Sequence, residues 1–470
     1  MPCPGKNVTT SMQRAILLIA VISSFITPFD GSAVNIALPT IGEEFSLDAV
    51  TLSWITTAYL LSIAILLVPF GKLADMKGRK RIFLVGITIF TAASFLVAFS
   101  ADAGTLIGLR LLQGTGCAMI FGTSLAILSA AYPPKERGKA LGITIAAVYV
   151  GLSAGPFLGG LMTETLGWRS IFLVNVPLGI LCILFTVWKL PLEWKNDSGE
   201  HFDLAGSFLW AIALIFVMYG LSILPGLPGI GLIFSGIVAL VAFGLLELRV
   251  PAPVLNMKLF LENRVFAFSN FAALINYSAT YAVTFLLSLY LQIAKDFSAE
   301  YAGLILVAQP AMQALFSPMA GKLSDRLDPG TVASFGMAVT VVGLFFLTFL
   351  DSDSTLPFIL GCLLFLGIGF GIFSSPNTNA IFGSVNRDTY GVASGMVGTM
   401  RLLGQMLSMG LAMTIFAIMI GNDLQIDENV PLFIESIHVA FLLFFLLCIF
   451  GLAFSLVRRK RPGFLQGNNR

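Results

Sequence analysis

Charge is what this chain has least of. Only 11% of its 470 residues are Asp, Glu, Lys or Arg, where soluble domains carry roughly 25%. A soluble fold of this length could not cover its surface with so few. Histidine is rarer still: His201 and His438 are the only two, and neither has neighbours at metal-ligand spacing. Neither a metal site nor a catalytic cluster is expected around them, and no cofactor is implied. Five cysteines are too few for a disulfide framework. Four of them, Cys117, Cys182, Cys362 and Cys448, lie in apolar runs, where cysteine packs as a small hydrophobe. A net charge of +2 leaves no basic footprint for nucleic acid. No Gly-rich phosphate loop, nucleophile elbow or His pair supports an enzyme. No polar stretch is long enough to be the signalling domain of a sensor.

What is abundant is apolar surface. Hydrophobic residues make up 57% of the chain, with 41 Phe, 46 Gly and 16 Met, and the mean hydropathy is +0.91. A helix needs about 20 apolar residues to cross the bilayer core. Fourteen such runs are read, near 15–38, 51–70, 82–100, 105–131, 138–161, 170–190, 204–223, 230–248, 265–293, 301–320, 331–350, 356–380, 391–420 and 436–457. The first is too long for a secretory apolar core and carries Asp30, so it is expected to stay as a span. The basic residues orient the bundle. With both termini cytoplasmic, the inner segments hold 23 of the 27 Lys and Arg, the outer loops hold only Arg169 and Lys295, and Arg110 and Arg401 sit inside spans. An odd number of spans would put basic loops on both sides. The expectation is an all-α, multi-pass protein of the cell membrane.

The chain also repeats itself. Gly71-Lys72-Leu73-Ala74-Asp75 at the end of the second span recurs as Gly321-Lys322-Leu323-Ser324-Asp325, 250 residues later. Gly138, Ala140, Gly142 and Gly151 recur as Gly391, Ala393, Gly395 and Gly404, each 253 residues on. Two segments with nearly one offset point to duplication. The organisation read from this is a cytoplasmic N-terminus (1–14), a six-helix half (15–190), a linker with two inserted helices (191–264), a second six-helix half (265–457) and a basic tail (458–470). Duplicated halves of this kind place a substrate site near the membrane midplane between them.

Ordered motifs then carry a family resemblance. The first span holds Phe29-Asp30-Gly31-Ser32-Ala33-Val34-Asn35-Ile36-Ala37-Leu38-Pro39, and the second Trp54, Thr57, Ala58 and Tyr59. A loop signature runs from Gly71 through Asp75 to Gly78-Arg79-Lys80. The fourth span has Arg110, Gln113, Gly114 and Gly116; the fifth has Gly151, Gly155, Pro156, Gly159 and Gly160; Trp168-Arg169 precedes Phe172, Asn175 and Pro177. Together these resemble the fourteen-helix branch of the proton-coupled drug antiporters in the major facilitator superfamily. The first motif departs at Ser32-Ala33, where that branch usually has Thr-Ile. The resemblance implies export of small amphipathic compounds in exchange for protons, by a protein working as a monomer.

The residues themselves carry the physics. Asp30 lies about 12 Å below the outer end of its helix at 1.5 Å per residue. An acid there costs roughly 2.5–3.5 kcal/mol on insertion scales, and such residues usually face the bundle interior and mark a pathway. Arg110, at similar depth on the fourth span, is its natural counter-charge, and the pair is the candidate for proton coupling; a permanently paired structural acid is the plainer alternative. Arg401, with Gln405 one turn on, lies near the midplane of the thirteenth span. Asn276, Tyr277, Tyr281, Gln309 and Gln313 are the other candidates for a pocket that needs apolar walls and a few polar groups. Within the twelve helices of the two halves, one embedded acid against two arginines leaves an anionic or zwitterionic substrate open, and a metabolic anion, lipid or siderophore-like compound is the alternative cargo, with Arg401 as its anchor. Gly71, Asp75, Gly78, Arg79 and Asp325 are candidates for a cytoplasmic gate whose carboxylates pair in one state and release in another. Gly151, Gly155 and Gly159 form a smooth helix stripe for close packing, bent at Pro156. His438 is expected to be solvated or structural, and the insert to lie outside the two repeats and contribute little to coupling.

Overall fold

In the computed structural model the described residues are 9–194, 202–250, 253, 255, 257–385, 390–421 and 429–457. They form fourteen helices long and apolar enough to cross a membrane. These are α1 (Thr10–Phe45), α2 (Ala49–Lys77), α3 (Arg79–Val97), α4 (Ala103–Ala131), α5 (Pro134–Leu166), α6 (Arg169–Lys189), α7 (Leu204–Ser222) and α8 (Leu227–Glu247). After a short turn at Met257–Glu262 come α9 (Arg264–Ala294), α10 (Ala299–Ser324), α11 (Pro329–Leu347), α12 (Leu356–Gly383), α13 (Tyr390–Met419) and α14 (Val430–Val457). The first helix begins at Thr10, earlier than the apolar run at 15–38 suggests, because Thr9 caps it by accepting a hydrogen bond from the Met12 amide. The basic tail lies outside the described residues.

Caps explain why acids are not segregated as the basic residues are. The first amides of a helix have no partner within it, and a short polar side chain before them supplies one. Asp48 caps α2, Asp102 caps α4, Asp203 caps α7 and Asp328 caps α11, with Asn263 and Ser298 serving α9 and α10. Helices α2 and α4 start at one end of the bundle and α7 and α11 at the other, so acids stand at both ends.

Hydrogen bonds tie alternate connections together and confirm the up-and-down course. At the basic end, Gln13 donates to the Ala131 carbonyl, Arg79 N–H to Trp194, and Asn263 to Ser384. At the opposite end, Trp168 and Arg169 both donate to Glu44, the Tyr290 hydroxyl to the Asp351 carbonyl, and Lys295 to the Ser352 carbonyl.

The duplication is visible in packing. In the first half α1 packs on α5 and α6, α4 on α2 and α3, and α3 on α6; the second half repeats this with α9 on α13 and α14, α12 on α10 and α11, and α11 on α14. Individual contacts recur at the offsets read from the sequence. A Cβ at Gly151 would stand 2.6 Å from the Phe25 carbonyl, and one at Gly404 would stand 2.5 Å from the Leu274 carbonyl. Gly114 presses on the Tyr59 carbonyl as Gly367 does on that of Gln309. Gly86 faces the Gly116 carbonyl as Gly336 faces that of Gly369. The halves meet through α5 against α10, α2 against α13, and α1 against α9.

The insert is more attached than its hydropathy suggests. The helices α7 and α8 pack on each other, and α7 also touches α2 and α13. The Trp210 indole donates to the Ala64 carbonyl of α2, while Thr414 of α13 donates to the Leu221 carbonyl of α7. It therefore touches both halves. It also holds a buried acid: Glu247 accepts from the Leu255 amide.

Candidate functional site

Asp30 and Arg110 are brought together as the sequence suggests. Both are fully buried, and Arg110 Nη1 lies 2.6 Å from Asp30 Oδ2. Charges removed from water are tolerated only when their remaining hydrogen-bonding positions are filled. Here Asp30 Oδ1 accepts from Gln113 at 3.1 Å and from Asn175 at 2.8 Å. Arg110 donates through Nε to the Ile55 carbonyl at 3.2 Å and through Nη1 to Gln113 Oε1 at 2.5 Å, and its guanidinium lies over the Tyr59 ring at 4.2 Å. Gln113 in turn donates to Ser94 at 2.8 Å. The α1 acid is thus held by side chains from α4 and α6, with Ser94 of α3 backing Gln113. Arg110 Nη2 and Asn175 Oδ1 remain without a partner, so the network is not fully satisfied.

Of these groups, Asn175, Ser94 and Tyr59 were not expected at the acid. None carries a charge, and each comes from a helix whose facing cannot be read from hydropathy alone. The available signal is weak: Asn175 is an amide inside an otherwise apolar span, and a polar group there needs a partner.

A cavity of about 350 Å³ lies beside this network, between the halves. Pro28 and Gly31 of α1 and Tyr59 of α2 line it, whereas Asp30 turns away from it into the first half. Tyr59 therefore stands between the ion pair and the open space. Tyr277, Tyr281, Gln309, Gln313, Arg401 and Gln405 all line the cavity. Asn276 does not. It is fully buried with neither amide atom bonded, one residue from Tyr277 and so about 100° around the helix. Arg401 is the one formally charged side chain among the lining residues. Its guanidinium lies 5.8 Å from the centre of the Phe121 ring and stands against the Tyr277 hydroxyl.

Away from the basic end, the cavity is closed by direct contact between halves. Gln292 donates to the Ile36 carbonyl at 3.0 Å. The glycine-rich stretch of α5 divides its work here. Gly151, Gly155 and Gly159 admit Phe25, Ser32 and Ala33 of α1 from the same half, while Gly160 and Pro156 press on Ala299 and Gly303 of α10 in the other. The expected close packing is present, and it has two partners. A broader apolar recess of about 910 Å³ runs along α5 and α10, sharing Tyr149 with the cavity; the Tyr149 hydroxyl and Ser317 are hydrogen-bonded at 3.0 Å.

At the basic end, Arg79 pairs with Asp75 at 2.8 Å and donates to the Ala126 carbonyl of α4 at 3.3 Å. Gly78 adopts φ +116°, open to glycine and strained for other residues. Gly122 of α4 lies against the Gly71 backbone, where an added Cβ would stand 3.4 Å away, and the space before Gly71 itself is open. Glu193, which carries no motif in the sequence, completes the arrangement: it accepts from the Lys80 amide at 2.8 Å and fills the space a Cβ at Gly78 would need. It thereby caps α3, which has no side-chain cap of its own. The second copy is built differently. Asp325 accepts from Asn379 at 3.4 Å, and no ion pair holds it among the described residues. His438 is bonded to the Leu350 carbonyl, in keeping with a structural role, and His201 lies outside the described residues. No cluster able to hold a metal occurs among the described residues.

Comparison with known proteins fits this geometry. The model of the Major Facilitator Superfamily matches residues 20–409 and 269–469. The riboflavin transporter RibZ of Clostridioides difficile (strain 630) is 32% identical over 440 residues, covering 93% of this chain and 95% of the relative. The multidrug resistance protein Stp of Mycobacterium tuberculosis (strain ATCC 25618 / H37Rv) is 29% identical, covering 89% and 79%. Among solved structures, a bacterial homologue of the human lysosomal transporter Spinster superposes with a TM-score of 0.69 at 15% identity, over 97% of this chain and all of that one. With its duplicated halves, central cavity and helix-1 acid, the chain belongs to the major facilitator superfamily of membrane transporters.

Proposed function

We propose that this protein is a secondary active exporter of small amphipathic compounds, exchanging them for protons by alternating access in the cell membrane, as a monomer with both termini cytoplasmic. The observation that carries the reading is Asp30: a fully buried acid held against Arg110 and separated from the cavity only by the helix face that bears Pro28 and Gly31 and by Tyr59. Burial favours the neutral form of a carboxyl group, and an adjacent cation favours the charged one. A movement that draws Arg110 away takes up a proton; its return releases one. Because Tyr59 lies over the guanidinium and lines the cavity, a compound pressing on Tyr59 presses on that balance. The coupling is reciprocal, so proton uptake weakens substrate binding by the factor that substrate weakens proton uptake.

The gradient is sufficient for the task. A proton moving down 100 mV supplies about 2.3 kcal/mol, and one pH unit adds about 1.4 kcal/mol. Together they sustain a concentration ratio of several hundred or so for a neutral compound exchanged one for one. The named activities of the relatives span a riboflavin transporter and a multidrug resistance protein, which suits a cavity walled largely by apolar and aromatic side chains.

The test uses the full chain in proteoliposomes with an imposed pH gradient, with and without sodium, and riboflavin and ethidium as probes. The wild-type protein drives at least one of them uphill only when the proton gradient is present. Asp30→Asn keeps the shape, loses uphill transport and retains exchange down the compound's own gradient. Undiminished uphill transport by a folded Asp30→Asn protein would refute the assignment.

A further inference from the structure

The cavity is electrostatically lopsided. Its lining holds Ser, Thr, Asn, Gln and Tyr hydroxyls and amides, a large apolar area, and one formal charge, on Arg401. Among the described residues no Asp or Glu lines it. The nearest buried acid, Asp30, is already met by Arg110, Gln113 and Asn175 and does not line the cavity. Arg401 forms no ion pair among the described residues. A guanidinium inside a membrane-spanning bundle is costly unless a counter-charge or hydrogen-bond acceptor is at hand, and its planar fork matches a carboxylate or another two-oxygen anion.

The surroundings of Arg401 are aromatic. Phe121 lies under the guanidinium at 5.8 Å. Tyr277 stands beside it and packs edge-to-face on Phe370 at 5.1 Å between ring centres. The base of Tyr277 is packed closely on α13, where a Cβ at Gly404 would stand 2.6 Å from its own Cβ. An aromatic ligand would meet ring edges and faces here while its acidic group met the cation.

We infer that the cavity selects small aromatic compounds bearing one anionic group, with Arg401 as the anchor for that group and Phe121, Tyr277 and Phe370 as the walls for the ring. This rests on the reading of the cavity as the transport site and specifies its cargo. A cationic compound of the same shape is disfavoured by the uncompensated charge, and discrimination of this kind comes from repulsion as much as from attraction.

The test is equilibrium binding to the full chain in lipid nanodiscs, with empty nanodiscs as the partition control and no gradient applied. The probes are one shape in three charge states: 2-naphthoate, methyl 2-naphthoate and 2-naphthylmethylammonium. The wild-type protein is expected to bind 2-naphthoate at least about tenfold more tightly than the ester, and the ammonium compound most weakly. Arg401→Gln brings the three within about threefold of one another, and Arg401→Lys keeps the ranking with a narrower span. A preference for the ammonium probe overturns the inference, as do an unchanged ranking in Arg401→Gln and a folded wild-type protein that binds no 2-naphthoate. Should Arg401→Gln fail to fold, Arg401→Lys decides, since an unaltered span in that variant is equally adverse. These outcomes are separate from proton-driven export, which the Asp30→Asn transport assay reads independently.

Discussion

The two halves share their packing and differ in their chemistry. The carbonyl of Tyr59 receives Gly114 in the first half, and the carbonyl of Gln309 receives Gly367 in the second, 250 and 253 residues on. By the same offset, Arg110 falls on Leu363 and Gln113 on Leu366, both fully buried. Phe25 and Leu274, which meet Gly151 and Gly404, are 249 apart, and by that step Asp30 falls on Ala279. The fold evidently tolerates an apolar core where the first half has a charged one. The network in the first half is therefore not needed to build a six-helix half, which supports a functional reason for it. The second half instead contributes its charge to the cavity, as Arg401, whose counterpart at an offset of 253 is Val148.

The comparison breaks most severely if one charge is removed alone. Arg110→Leu copies Leu363 but strands Asp30, and breaking a buried pair this way costs about 3–5 kcal/mol. A much lower unfolding temperature in detergent is expected. The double variant Asp30→Ala with Arg110→Leu makes the first half resemble the second at both positions, and it should recover most of that loss while proton-driven export stays absent. A double variant no more stable than Arg110→Leu would mean that the two cores are not interchangeable.

A smaller effect sharpens the shared part. Alanine at Gly151 or at Gly404 forces α1 from α5, or α9 from α13, by the same steric contact. Each should cost about 1–3 kcal/mol by overpacking, and the two costs should agree within about 1 kcal/mol. Thermal unfolding of the two single variants measures this, and a large inequality would show that the repeated contact carries different loads.

The smallest effect concerns the loops. Asp75 holds Arg79 in a half-exposed pair, for which about 1 kcal/mol is an upper figure. Among the described residues Asp325 holds Asn379 and no cation. In transport assays Asp75→Asn should slow turnover up to about fivefold with little change in substrate affinity, and Asp325→Asn should change it less than about twofold. Equal effects would make the second loop a working copy of the first.

Much of this is legible in the sequence. Fourteen runs of apolar sequence became fourteen helices because spanning hydrocarbon demands length and hydropathy, both local properties. The pairing of Asp30 with Arg110 was legible because isolated charges in spans are few and must meet. Asn175 and Glu193 were not. An amide in an apolar helix and a glutamate in a short connection carry no period or spacing that names a partner. Asn276 adjoins Tyr277 in sequence, and one residue of helical rotation puts it outside the cavity.

The sequence by itself determined the number of helices, the alternation of their ends, the offsets of the repeat and the presence of one deeply embedded acid and two arginines within the spans of the two halves. Each follows from composition along a single segment. Only the tertiary structure decided which faces converge: that Asp30 turns from the cavity while Arg401 turns towards it, that Tyr59 stands between them, and that α7 touches both halves. These helices are apolar nearly all round, so no stripe of polarity aims them. Their rotations are set by where glycines let backbones approach and where buried polar atoms find partners on other helices.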